Sequence, residues 1–303
     1  MMLLRNIFIV GAAKAGTTAL YYLLNQHPEI CFPVVKEPNF FSNLNGEQEV
    51  VKPGTGPGDS STTWTDSLNA YHKLYRCSKD HHYRLDASVS YLYSTRAACH
   101  ISRYSPGARI VIVLRNPVDR AWSHYKHLVR DGRESLSFEE ALNREEERIK
   151  EGWEFSWHLK QMGLYSRQIQ RYFDHFGRSQ VRVFLFDDLK ANIKDIIKIT
   201  EEFLQLPEFS YNFQQNRHNI SGVSRSKTLS GLVNRVVRYK STINKVVPPM
   251  ATHWLMQLFR SVNTKEAALT LREETRKELI SFFKDDIKKT EQLINRDLST
   301  WLS

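Results

Sequence analysis

Between Gly11 and Thr18 the chain reads Gly-Ala-Ala-Lys-Ala-Gly-Thr-Thr, so a lysine, two bounding glycines and two hydroxyls fall within one short stretch. Glycine-bounded turns aim several backbone N–H groups at one point, and a helix starting there adds partial positive charge. The composition therefore reads as a phosphate cradle. The run nearly fits the P-loop pattern G-x-x-x-x-G-K-[ST]. Gly11 and Gly16 keep the spacing, but Thr17 stands where the lysine should follow, and Lys14 lies inside the turn. A cradle that has moved its γ-phosphate lysine suits a 5′-phosphate bearing a different transferable group. The alternative, a glycine turn that binds nothing, gives Lys14 and the paired threonines no packing role.

A second stretch, Lys36-Glu37-Pro38-Asn39-Phe40-Phe41, follows at a characteristic distance. The two together resemble the sulfotransferases that use 3′-phosphoadenosine 5′-phosphosulfate (PAPS), in particular the heparan-type enzymes and their soluble bacterial relatives. The likeness runs to about residue 230. It implies an α/β fold: a P-loop-like single domain over residues 1–303, with a central parallel sheet flanked by helices. It further implies that Lys14 neutralises the leaving phosphate, that Ala15, Gly16, Thr17 and Thr18 hold it, and that Glu37 is the catalytic base. PAPS would be the donor and 3′-phosphoadenosine 5′-phosphate (PAP) the product, with no metal required. By the same likeness, Arg115 and Ser123 bind the 3′-phosphate, and Arg225 and Lys227 come from a late loop, 216–227, that folds over the nucleotide. Asp86 precedes a Ser-x-x-Tyr-like element and would contact the acceptor, although a turn or cap aspartate reads equally well. Asn39 stands where some relatives have a histidine near the acceptor.

These residues need elements to carry them. Ile7–Val10 is a short buried strand, and Ala19–Leu24 a helix stopped at His27-Pro28. Arg109–Leu114 is a continuous apolar run, as in a strand covered on both faces of a parallel sheet. It delivers Arg115 to the strand's C-terminal end, where open α/β sheets bind ligands. Asn116 and Pro117 then cap and start a helix that carries Ser123. Tyr83–Tyr91 reads as a strand leaving into a loop, and Leu68–Tyr75 as a helix. Ser137-Phe-Glu-Glu140 is a capping box opening a charged helix through Ile149, whose charge run reads as a solvated face. Trp153, Phe155 and Trp157 form either an acceptor wall or core packing. Gly163-Leu-Tyr165 precedes an amphipathic helix that Gly177 stops. Val181–Phe186 is a second buried strand. With Asp187 it also looks like a Walker B element, although a core strand followed by an N-cap aspartate reads as well. Helices are expected over 192–206, 229–259 and 265–298, and a long polar loop over 43–66, either a lid or acceptor-site segment or plain disorder. His124 and His127 share a helix but have no zinc-motif companions.

The three cysteines, Cys31, Cys77 and Cys99, are scattered and form no C-x-x-C, so no disulfide framework and a reducing compartment are expected. No signal peptide is legible, because the first apolar run leads straight into the loop. No stretch approaches the length of a membrane span. A cytoplasmic protein is the expectation. A formal net charge of +10 favours anionic ligands. Three readings account for these features. They are a sulfotransferase acting on a small molecule or glycan, a P-loop kinase using Mg-ATP, and a non-catalytic polyanion- or RNA-binding protein supported by charge alone. The first, with no nucleic-acid partner, alone explains Lys14, Glu37 and Arg115 at strand ends.

Overall fold

The computed structural model describes residues 4–42, 65–213 and 269–303, with a short antiparallel pair, Val223–Ser224 and Thr264–Lys265. The expected late-loop residues Arg225 and Lys227, most of the 43–66 loop and the 229–259 helix lie outside the described residues.

A parallel five-stranded sheet forms the centre, as the sequence leads one to expect. Its strands are β1 (Arg5–Gly11), β2 (Ile30–Cys31), β3 (Tyr83–Asp86), β4 (Arg109–Leu114) and β5 (Val181–Leu185), in the order β2-β3-β1-β4-β5. Ile7 to Val10 and Ile110 to Leu114 are fully buried, which a strand with both faces covered requires. From β1 the chain crosses to the edge strand β2, returns to β3 beside β1, and then passes to β4 and β5 on the other side. The connections therefore reverse direction beside β1, which opens a crevice at the C-terminal ends of β1 and β4.

Helix α1 (Thr17–Leu24) follows β1. Next come α2 (Leu68–Lys73), the helical turn α3 (Ser90–Tyr93) and α4 (Ala97–Tyr104). Helix α5 (Pro117–Arg130) starts where Asn116 accepts the Val118 and Asp119 N–H groups at 3.0 and 3.5 Å, with Pro117 as first helical residue. Beyond it lie α6 (Phe138–Asn143), α7 (Glu145–Lys150), α8 (Tyr165–Phe176), α9 (Phe186–Ala191), α10 (Ile193–Leu204) and α11 (Glu273–Ile294). Helix α1 packs on β1 and α10, whereas α4, α8 and α11 pack in series.

The strand from Tyr83 ends at Asp86 and leaves into a loop, as expected. Three expectations are corrected. The helix opened by the Ser137 capping box breaks at Arg144 into α6 and α7. Its charge run is not simply a wet face. Glu145 is buried and accepts the Lys160 and Gln161 N–H groups at 2.7 and 2.8 Å. Arg148 is buried against Glu134 at 2.6 Å and against the Trp153 ring, while Arg133 pairs with Glu154 and stacks on Trp157. Those tryptophans therefore pack on buried guanidinium groups. Finally, Cys31 and Cys77 form a disulfide across 46 positions, leaving Cys99 free. The fold brings the end of β2 beside the segment leading into β3, a proximity that spacing alone does not show.

Candidate functional site

The Gly11–Gly16 loop leaves β1 at the crevice. The Ala12 N–H donates to the Val113 carbonyl at 2.6 Å, and the Ala15 N–H to Ala12 at 3.2 Å, so the turn is tied to β4 and to itself. Lys14 and Gly16 both hold positive φ, 67° and 90°. Among the described residues no side chain caps α1 at Gly16, so its first turn faces the crevice with its amides unfilled by a described side-chain acceptor. Gly16 holds a φ that L side chains rarely adopt, and a methyl group there would make a tight contact, 3.0 Å from the Phe186 ring. Ala15 and Thr17 are buried and Thr18 is half-buried.

Positive charge converges on the loop. Arg115 lies at the end of β4, donates from Nη1 to the Lys14 carbonyl at 3.1 Å, and stacks over the Phe186 ring at 4.7 Å. Burial pushes the Lys14 amine down to about 8, and the nearby Arg130 and Arg115 guanidiniums push the same way. Asp131 and Glu37 oppose them. Arg130 closes α5 and bonds to His127 Nδ1 at 2.5 Å and Asp131 at 2.9 Å. His127 Nε2 lies 3.6 Å from Asp131, yet burial holds this imidazole far below its usual range, with Lys14 and Arg130 adding to the effect. It is a neutral hydrogen-bond partner there rather than half of an ion pair. A crowded, partly desolvated cationic site of this kind fits a phosphate group. Ser123 is half-buried on α5.

Glu37 belongs to the same electrostatic neighbourhood, since its charge acts on Lys14. It is also ion-paired with Lys36, whose ammonium lies 5.6 Å from the Tyr21 ring centroid. The extended conformation expected of a residue before proline is not what it adopts. Its φ is 59°, and Asn39 follows with φ 53°. The turn is held by contacts instead, with the Asn39 side chain donating to the Glu37 carbonyl at 2.7 Å and the Thr65 N–H to the Pro38 carbonyl at 3.0 Å.

Asn39 and Asp86 lie inside the fold. Both are about 1% exposed. Asn39 accepts the Ser90 hydroxyl at 2.6 Å and donates its N–H to Ser88 Oγ at 3.1 Å. Asp86 accepts the hydroxyls of Ser88, Tyr91 and Tyr71 at 2.7, 2.8 and 3.1 Å. Burial pushes its carboxyl up to about 6, against the pull of those three donors. The residues expected to contact the acceptor are thus hydrogen-bonded within the fold. Of the Walker B pair, Asp187 is exposed in the first turn of α9 rather than capping it, and Asp188 pairs with Arg296 at 3.1 Å.

An apolar cavity of about 220 Å³ adjoins the loop, lined by Gly16, Ala19 and Leu23 from α1 with Phe186, Leu189 and Phe213 among the facing residues. A larger one, about 500 Å³, lies between α8 and α11 and is lined by neither Lys14, Glu37 nor Arg115. Sequence reasoning missed Arg130, which carries no local signal at the far end of α5. It also passed over Phe186, which shares with Arg115 the position just beyond a buried strand. Among the described residues, no group of three or more acidic, histidine or cysteine side chains could hold a metal, and no helix is long and apolar enough to cross a membrane.

Comparison with known proteins bears on this arrangement. The sequence profile of the sulfotransferase family matches residues 6–210, the span holding the loop, Glu37 and Arg115. The crystal structure of a sulfotransferase from Alicyclobacillus acidocaldarius is 33% identical, with a TM-score of 0.76 over 99% of this chain and 100% of that one. Mouse heparan sulfate glucosamine 3-O-sulfotransferase 3A1 is 25% identical over 205 residues, 67% of this chain and 46% of its own length. Human carbohydrate sulfotransferase 15 is 23% identical over 263 residues, 68% and 45% of the respective chains. The chain thus spans about half the length of these curated relatives.

Proposed function

Because the chain belongs to the sulfotransferase family, we propose that it moves a sulfuryl group from PAPS to a hydroxyl or amine of a glycan or small molecule. The observation that carries this reading is the convergence of Lys14, Arg115 and Glu37 at the start of α1. In the proposed reaction the acceptor oxygen or nitrogen bonds to sulfur while the bond from sulfur to the 5′-phosphate oxygen breaks. The acceptor proton passes to the Glu37 carboxylate. Charge developing on the leaving oxygen is met by the Lys14 ammonium and the amides around Gly16, Thr17 and Thr18. Arg115, with Ser123 on α5, is suited to the 3′-phosphate through charge-assisted bonds. The cavity walled by Phe186 and Ala19 suits the flat apolar face of a purine. Lys14 and the loop amides supply the electrostatics that Mg²⁺ supplies to kinases, so transfer is expected to persist in excess EDTA. The net charge of +10 accords with an anionic acceptor, and the curated relatives are named for heparan sulfate glucosamine and for carbohydrate.

The test compares thermal stabilisation by PAP and by Mg-ATP, followed by transfer assays on the parent and Glu37→Gln. Stabilisation by PAP alone is expected, through mass action. Glu37→Gln should bind PAP like the parent and lose ~10²–10⁴-fold in kcat. Selective stabilisation by Mg-ATP would favour a kinase instead, and near-parental transfer by Glu37→Gln would remove the base assignment.

A further inference from the structure

Two hydroxyl-bridged routes lead from the buried Asp86 carboxylate, at the end of β3, to the turn that carries Glu37. Along the first, the Ser88 hydroxyl donates to Asp86 Oδ1 at 2.7 Å, Ser88 Oγ accepts the Asn39 N–H at 3.1 Å, and Asn39 Nδ2 donates to the Glu37 carbonyl at 2.7 Å. Along the second, the Tyr91 hydroxyl donates to Asp86 Oδ2 at 2.8 Å and accepts the Phe41 N–H at 3.4 Å. An ionised carboxylate offers only acceptors. It therefore fixes the direction of both hydroxyls, which must donate to it and so keep lone pairs for the two backbone N–H groups. The turn needs such bracing. Glu37 holds a φ of 59°, a region a residue of its type occupies only where the surroundings hold it there, and Asn39, of a type that tolerates the region, follows at 53°.

We infer that Asp86 is a positioning residue for transfer: it anchors the Glu37 turn to the rigid end of β3 through Ser88–Asn39 and Tyr91–Phe41, and does not meet the acceptor. The inference rests on Glu37 being the base. It assigns Ser88 and Tyr91 a part in turnover that neither would have as simple core residues.

The experiment uses Ser88→Ala and Tyr91→Phe, each alone and combined with Glu37→Gln. Each single change deletes one hydroxyl and leaves Asp86 two other donors, with folding checked by thermal melting. A base displaced by a fraction of an ångström should cost about 10–100-fold in kcat. PAP affinity and acceptor KM should stay within about twofold of the parent, because the loss belongs to the transition state. In the Glu37→Gln background, either change should add little, since the group it positions is already gone. Near-parental turnover by Glu37→Gln alone would sink the base assignment and the inference with it. An impaired Glu37→Gln beside parental Ser88→Ala and Tyr91→Phe would overturn the positioning role alone. So would losses that multiply in the double variants, or a raised acceptor KM with kcat unchanged.

Discussion

Lys14 stands in an unusual balance for an exposed-type residue. Burial and two neighbouring guanidiniums draw its amine down to about 8, although an anionic ligand needs it charged. Nucleotide binding should therefore take up a proton as pH rises through that value. Affinity for PAP should be level with respect to this group below pH ~7 and fall progressively above pH ~8, with a slope of up to one proton. Calorimetry in two buffers of different ionisation enthalpy measures that uptake directly, and Lys14→Met should abolish it. An affinity flat through this window would show that Lys14 does not face the phosphate. The sign for stability is the reverse. The unfolded lysine, near 10.5, holds its proton through a window in which the folded one has lost it. The free protein thus gains stability from this group between about pH 8 and 10.5. At the same scale, Asp86 shows how burial changes a role. Its carboxylate accepts three hydroxyls, whereas its sequence context reads equally as an acceptor contact or as a turn or cap aspartate.

At the scale of elements, two asparagine caps separate stability from function. Asn116 accepts two N–H groups at the start of α5, directly after Arg115. Asn192 accepts the Lys194 and Asp195 N–H groups at 3.2 and 3.4 Å at the start of α10. Replacing either by alanine removes a cap worth ~1 kcal/mol. Both variants should show that loss in urea denaturation. Only Asn116→Ala should also weaken PAP binding, because the turn it fixes carries Arg115. Equal affinity in the two variants would mean that the cap does not orient that arginine. The start of α5 was legible in the sequence, since a cap and a proline at the first position are local signals, whereas for α10 a helix was expected over 192–206 without its cap being identified. The break at Arg144 was not legible. It depends on Glu145 turning inward to collect two amides from a segment that follows much later, at Lys160 and Gln161.

For the molecule as a whole, the Cys31–Cys77 disulfide closes a large loop that contains the Glu37 turn. Constraining a loop of that length in the unfolded chain is worth about 2–4 kcal/mol. Cys77→Ser should lower the melting temperature in the absence of reductant, and adding reductant should bring the parent to the same value. Thiol titration of the unreduced, denatured parent should find one group, Cys99, since the other two cysteines are bonded. Three thiols would count against the bond. The scattered cysteines had suggested the opposite, because pairing between residues 46 positions apart is decided by strand order and not by spacing. What the amino-acid sequence determined by itself was whatever is written in short range. The loop between β1 and α1, the buried strand β4 and the cap at Asn116 all rest on adjacent residue types and dihedral preferences. Tertiary structure decided the rest. It alone brings Arg130 and Phe186 to the crevice, turns Asp86 and Asn39 inward, and buries Arg148 and Glu145, because each of these depends on distant segments excluding water together.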